Sequence, residues 1–154
     1  MSQFLRPATI ADVVHVASNI RKEDADECYA AAGAGPELAL LISAQHSTEC
    51  YAMVSPHGNV IGLCGLAPGL GAGDRRVWMM ATRELESHQI TFLRHAKAWV
   101  EEKSKLFVLW NYVDANNTKH VSWLKSLGVI FTTGKTSPYT GSRLLHFIKV
   151  PTCV

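Results

Sequence analysis

The side chains able to do chemistry are few in this chain. Seven histidines and four cysteines stand among 154 residues. No histidine pair has HExxH spacing, and Cys28, Cys50, Cys64 and Cys153 contain no CxxC pair, so no metal site is expected. Unpaired, the cysteines read as small buried hydrophobes of a reducing compartment, with Cys153 in a C-terminal tail. The glycines of residues 69–73 could cradle a phosphate, but no Lys-Ser/Thr follows and no helix opens there. They read as a flexible connection between strands. The densest group of reactive and ligand-binding types lies in residues 109–131, LWNYVDANNTKHVSWLKSLGVIF. There Tyr112 and His120 can carry a proton, while Asn116, Asn117 and Thr118 can cap a helix or hold a ligand.

The elements that position this group follow from the pattern. Residues 107–113 are apolar, aromatic or β-branched, apart from Asn111, and read as a strand. Asn116 or Asn117 caps a helix whose inner face is Val121, Leu124 and Leu127, and Gly128 ends it. Residues 129–131 read as the next strand. Upstream, residues 4–9 read as a strand and 10–21 as a helix capped by Thr9, with Ile10, Val13, Val14 and Ala17 inward. Residues 23–32 read as a second helical piece, residues 33–36 as a break, and a helix at 37–44 carries Leu38, Leu41 and Ile42. Strands are expected at 50–54, 60–66 and 75–81, the first two joined by the turn Pro56-His57-Gly58-Asn59. Ser87 is expected to cap a long helix at 88–103, with Ile90, Leu93, Ala96, Trp99 and Val100 inward. A strand at 143–150 closes the chain. The order β-α-α-β-β-β-α-β-α-β-β predicts one α/β domain over residues 1–150 and a tail at 151–154.

Bulk properties exclude other classes. At 47% hydrophobic and 18% charged residues the chain is not disordered. The net charge of +2 is spread without a basic stripe, so no nucleic-acid partner is expected. No apolar run approaches the ~20 residues of a membrane span, so no membrane partner is expected either. The start shows no secretory leader, because Asp12 and His15 interrupt the first apolar run; a cytosolic location follows.

The frame Asn117, His120, Trp123-Leu124, Leu127-Gly128-Val129 resembles the last motif of the GNAT family of acyl-CoA N-acyltransferases. Residues 4–12, FLRPATIAD, resemble that family's first strand and helix entry. The run of Trp110, Asn111, Tyr112, Asn117, Thr118 and His120 is also similar to the GNAT-like internal virion protein A family of T7-like phages. The resemblance implies a single-domain GNAT-like fold, a mixed central sheet splayed between strands four and five with flanking helices. It implies acetyl-CoA or CoA as cofactor, with Ser87, His88 and Gln89 at the pyrophosphate loop and Asn117 beside the pantetheine arm.

The chain departs from the family at both places that carry its chemistry. The glycine-rich pyrophosphate loop is replaced by Glu84-Leu85-Glu86-Ser87-His88-Gln89, and no glycine lies between Asp74 and Leu127. Two carboxylates there oppose phosphate, so CoA binding is expected to be weak or absent. The family's thiolate-protonating Tyr falls on Leu124, and strand four carries no carboxylate base. His120, His88 or Tyr112 is left to act as acid or base. Three readings follow. One is a phage protein with a degenerate acyl-CoA site that binds a host or phage protein. Another is a divergent N-acetyltransferase, and the third is a virion structural or assembly factor. The phage resemblance places it in the host bacterial cytoplasm or the virion. Trp78, Met80, Trp110 and Tyr112 are expected to line the cleft between strands four and five.

Overall fold

The computed structural model describes residues 4–151. Cys153 and most of the expected tail lie outside the described residues. The elements are β1 (Leu5–Pro7), α1 (Ile10–Ser18), α2 (Lys22–Ala32), α3 (Pro36–His46), β2 (Glu49–Val54), β3 (Val60–Pro68) and β4 (Asp74–Ala81). A 3-10 helix (Arg83–His88) leads into α4 (Gln89–Ser104), followed by β5 (Val108–Asp114), α5 (Thr118–Ser126), β6 (Ile130–Phe131), β7 (Lys135–Thr136) and β8 (Arg143–Lys149).

The strands form one sheet in the order β1-β2-β3-β4-β5-β8-β6, with β7 also on β8. The β4–β5 pair is parallel and the others are antiparallel. Helices cover both faces. That is why β3 reads as an unbroken apolar run rather than an alternating one: Ile61, Leu63 and Leu66 are fully buried from opposite sides. On one face Val13, Val16 and Leu40 from α1 and α3 pack on Ala52 and Leu63. On the other, Phe92 from α4 and Trp123 from α5 pack on Met53, Ile61 and Leu85.

Local signals start and stop these helices. Thr9 caps α1 through the Asp12 N–H, while the Asp12 carboxylate receives the Thr9 N–H and a two-pronged contact from Arg6. Such a capping box is worth about 1 kcal/mol. Gly33 and Gly128 end α2 and the α5 turn at φ of 66° and 78°, a region that favours glycine.

Several inward assignments are corrected. Ile10, Val14, Leu38, Ile42 and Ile90 are exposed, and Leu41 stands at the edge of exposure; Val16, Leu40 and Phe92 take the buried positions. The apolar residues of α1, α3 and α4 are too many for one stripe, so spacing alone chose the wrong members. The first helix ends at Ser18 rather than at residue 21, and residues 23–32 form the expected second helical piece. Ile20 bridges to Thr82 of the strand end, and Arg21 then restarts the chain as α2. Ser87 gives α4 no cap, because the 3-10 helix runs straight into it.

Candidate functional site

The parallel pairing of β4 with β5 stops after three residue pairs, Asp74–Val108 to Arg76–Trp110. Asn111 ends it. Its side-chain Nδ2 donates to the Val77 carbonyl at 3.0 Å, where the ladder would otherwise continue, and its Oδ1 accepts the Tyr112 N–H. Beyond that wedge the strands part. At the far end α2 closes the gap, since the Asp24 carboxylate accepts the Ala81 N–H at 2.8 Å and the Arg21 N–H donates to the Ala81 carbonyl. Strand alternation turns Val77, Met79 and Ala81 toward the same edge. Met79, between the two blocked positions, therefore presents its N–H and carbonyl to the splay with none of the described strands opposite.

A cleft of about 780 Å³ passes through this splay. Phe92, Trp123 and Leu124 line it on one side of the sheet, and Cys28, Trp78, Met80 and Tyr112 on the other. Trp110 is not on the lining: its Nε1 donates to Asp74 at 2.6 Å, at the closed end of the strand pair. Asp74 also binds the N–H groups of Leu70 and Gly71. The glycine-rich loop is thus folded onto a carboxylate.

His120 reaches the cleft from the first turn of α5 and is buried. Its Nδ1 lies 3.5 Å from Glu27 Oε2 and makes no hydrogen bond among the described residues. The other Glu27 oxygen accepts the Asp114 N–H at 2.7 Å, which fixes the carboxylate in place. Burial pulls the His120 pKa down, but the Glu27 charge and contact outweigh it and leave it above the ordinary histidine value. The sequence singled out His120 but not Glu27, which arrives from α2, 93 residues earlier in the chain. Only packing shows that pair. Cys28 also lines the cleft, but burial pushes its thiol up to about 12, so it is no nucleophile at neutral pH. Tyr112 edges into the cleft beside Lys135, whose Nζ sits 4.3 Å over its ring.

The other expected site residues are elsewhere. Ser87 is exposed on the 3-10 helix. Gln89 accepts the Trp123 indole N–H and donates to the Glu86 carbonyl. The His88 ring lies 6.4 Å from that of His57. Asn117 stands at the N-cap position of α5 but gives no cap bond. Its side chain is buried, with Nδ2 donating to Asp24 at 2.8 Å and Oδ1 accepting from Arg21 at 3.4 Å. None of these four residues lines the cleft.

The loop between β4 and α4 is a closed ionic cluster rather than an open cradle. Glu86 accepts from Arg21 at 3.1 Å, from Lys119 at 2.9 Å and from Arg83. Burial raises its pKa, but the bonds from Lys119, Arg21 and Arg83 outweigh that and bring it to about 2. The Arg21 guanidinium also lies 5.2 Å over the Trp123 ring, at the inner wall of the cleft. A carboxylate of the chain thus neutralises the cations that an incoming phosphate would need.

Solved structures share this architecture. A spermidine N-acetyltransferase from Vibrio cholerae, in complex with CoA and spermine, is 12% identical, with a TM-score of 0.70 over 94% of this chain and 93% of that one. An acetyltransferase of the GNAT family from Bacillus anthracis is 11% identical, with a TM-score of 0.70 over 97% and 96%. AAC(6')-Ib, in complex with ribostamycin and coenzyme A, is 15% identical, with a TM-score of 0.67 over 95% and 92%. No protein-family model matches the chain, and no curated protein does. The likeness establishes the GNAT fold.

Proposed function

We propose that this chain is a divergent N-acyltransferase that moves an acyl group from a thioester to an amine within the β4–β5 splay. The observation that carries the reading is the meeting of three things at one cleft: the Met79 N–H, which faces none of the described strands, the Glu27–His120 pair and largely apolar walls. An acyl-CoA would supply the acyl group and a thiolate leaving group. The acyl and pantetheine portion fits the splay. The nucleotide portion fits poorly, because residues 84–89 are helical and Glu86 already occupies the local cations.

The chain's own groups have distinct tasks. The Met79 N–H donates toward the carbonyl oxygen that gains charge during attack. Glu27 holds the ammonium of the acceptor and, with His120, takes the proton the amine must lose. His120, with its raised pKa, is suited to return a proton to the departing sulfur, the task for which Leu124 has no group. Tyr112 stands at the same cleft as a second proton carrier. Transfer of acetyl from acetyl-CoA to an amine, followed by mass spectrometry of the product, tests this. The absence of any acetylated amine with millimolar donor would refute it.

A second reading has its own support in the closed Glu86 cluster. A fold whose nucleotide loop is shut by Arg21, Arg83 and Lys119 serves equally as a binding module. With the phage resemblance of residues 109–131, that module would act on a host or phage protein. Titration calorimetry with acetyl-CoA separates the two. Saturable binding, even with a dissociation constant above about 100 μM, favours the enzyme, and no binding at millimolar acetyl-CoA favours the module.

A further inference from the structure

The chemistry of the cleft walls selects the amine. Among the described residues lining it, Glu27 is the only carboxylate. The other charged lining residues, Arg76 and Lys149, are cations. One carboxylate balances one ammonium; a second ammonium on the same ligand would find no second carboxylate among the described lining residues, only cations, uncharged polar groups such as Ser43 and Asn111, histidines or hydrocarbon. On the α2–α3 side the lining includes the apolar Cys28, Trp78, Met80, Leu38 and Ile42, with Ser43 and His46 also contributed by α3. Cys28 Sγ touches Met80 Sδ at 3.6 Å, so this floor is continuous. Leu38 and Ile42 follow one another one turn apart on α3, 53% and 43% exposed, and no carboxylate stands among the lining residues of that helix. Apolar side chains left open to water at a cleft rim are explained if a ligand's hydrocarbon covers them.

We infer that the acceptor is a monoamine with an apolar or aromatic body, its ammonium on Glu27 and its body against Trp78, Met80, Leu38 and Ile42. The inference rests on the acyltransferase reading for the amine's role as acceptor, while binding itself is measurable without any acyl donor. A linear polyamine or an amino sugar places further charges along this wall and is excluded by it. Each methylene covered by the wall strengthens binding about fourfold, so among monoamines the length and aromaticity of the body should set the affinity.

The test is calorimetric titration of the purified protein with phenethylamine, ethylamine and spermidine. Phenethylamine is expected to bind at least about tenfold more tightly than either of the others. Glu27→Gln keeps an oxygen for the Asp114 N–H and so preserves the fold, yet should weaken phenethylamine about tenfold or more. Ile42→Asp, at an exposed site, should weaken phenethylamine and strengthen spermidine. Tighter binding of spermidine than of phenethylamine, or an unchanged affinity in Glu27→Gln, overturns the inference. If phenethylamine binds as expected but is never acetylated, the pocket assignment stands and the acyltransferase reading falls. If spermidine is the better acetyl acceptor, the acyltransferase reading stands and the monoamine inference falls.

Discussion

Asn117 sits at a helix start yet does not cap it, and substitution can separate the two roles. As a plain N-cap, Asn117→Ala would cost about 0.5–2 kcal/mol and Asn117→Asp almost nothing, since Asp caps as well as Asn. The structure predicts another order. The Asn117 Nδ2 donates to the buried Asp24 carboxylate at 2.8 Å. Asp24 keeps the Arg21 guanidinium and the Ala81 N–H when that donor is removed. The loss in the Ala variant is therefore one short charge-assisted hydrogen bond and the longer one from Arg21 at 3.4 Å, together roughly 2 kcal/mol. In a chain of this size that lowers Tm by about 4–8 °C. The Asp variant removes the donor and sets a second carboxylate against Asp24. Arg21 already serves Asp24, Glu23 and Glu86. That variant should lose about 3–5 kcal/mol, in the range for an uncompensated buried charge. The new carboxyl's folded pKa is raised, so its protonated form fits the site and the penalty shrinks as pH falls. Urea unfolding at pH 7.5 and pH 5 measures both variants. An Asp variant as stable as wild type at both pH values would refute the reasoning.

The remaining expectations concern chemistry and pH. His120→Ala should lower acetyl transfer by about 10²-fold or more with the fold intact by circular dichroism, and full turnover would remove His120 from the mechanism. If His120 acts as the acid, kcat should fall as pH rises through its raised pKa, and Glu27→Gln should move that fall to lower pH. Titration with acetyl-CoA at low salt should give a dissociation constant above about 100 μM, weaker than roughly −5.5 kcal/mol, and a low-micromolar value would show that the Glu86 cluster opens. Asp12 and Glu86 both have folded pKa values lowered to about 2, from 3.8 and 4.5. The stability they contribute is present above those ordinary values and lost as pH falls toward 2. A thermal scan over pH 5 to 2 should show that decline, and Glu86→Gln should flatten part of it.

Much of the fold lay open in the sequence because its signals are local. Thr9 with Asp12 marks the start of α1, Gly128 marks the end of the α5 turn, and residues 56–59 mark the β2–β3 hairpin within a few positions of each other. The frame of residues 117–129 and the run at 4–12 placed the splay between β4 and β5, where the ladder ends after Arg76. The absence of a glycine loop was legible in the same way. What replaces it was not, because Glu86 meets Arg21 and Lys119 across 65 and 33 residues of chain.

The sequence by itself determined the element types, most turns, the candidate His120 and the loss of the family's Tyr and glycines, since each depends on neighbours within a few residues. Tertiary structure alone decided that Glu27 faces His120, that Asn111 wedges the strands apart and that Asn117 is spent on Asp24 rather than on a cap. It also decided which apolar residues of α3 are core and which form a rim. These outcomes depend on groups brought within about 3 Å of one another by the fold. At that range burial and charge, rather than residue type, settle what a polar side chain does.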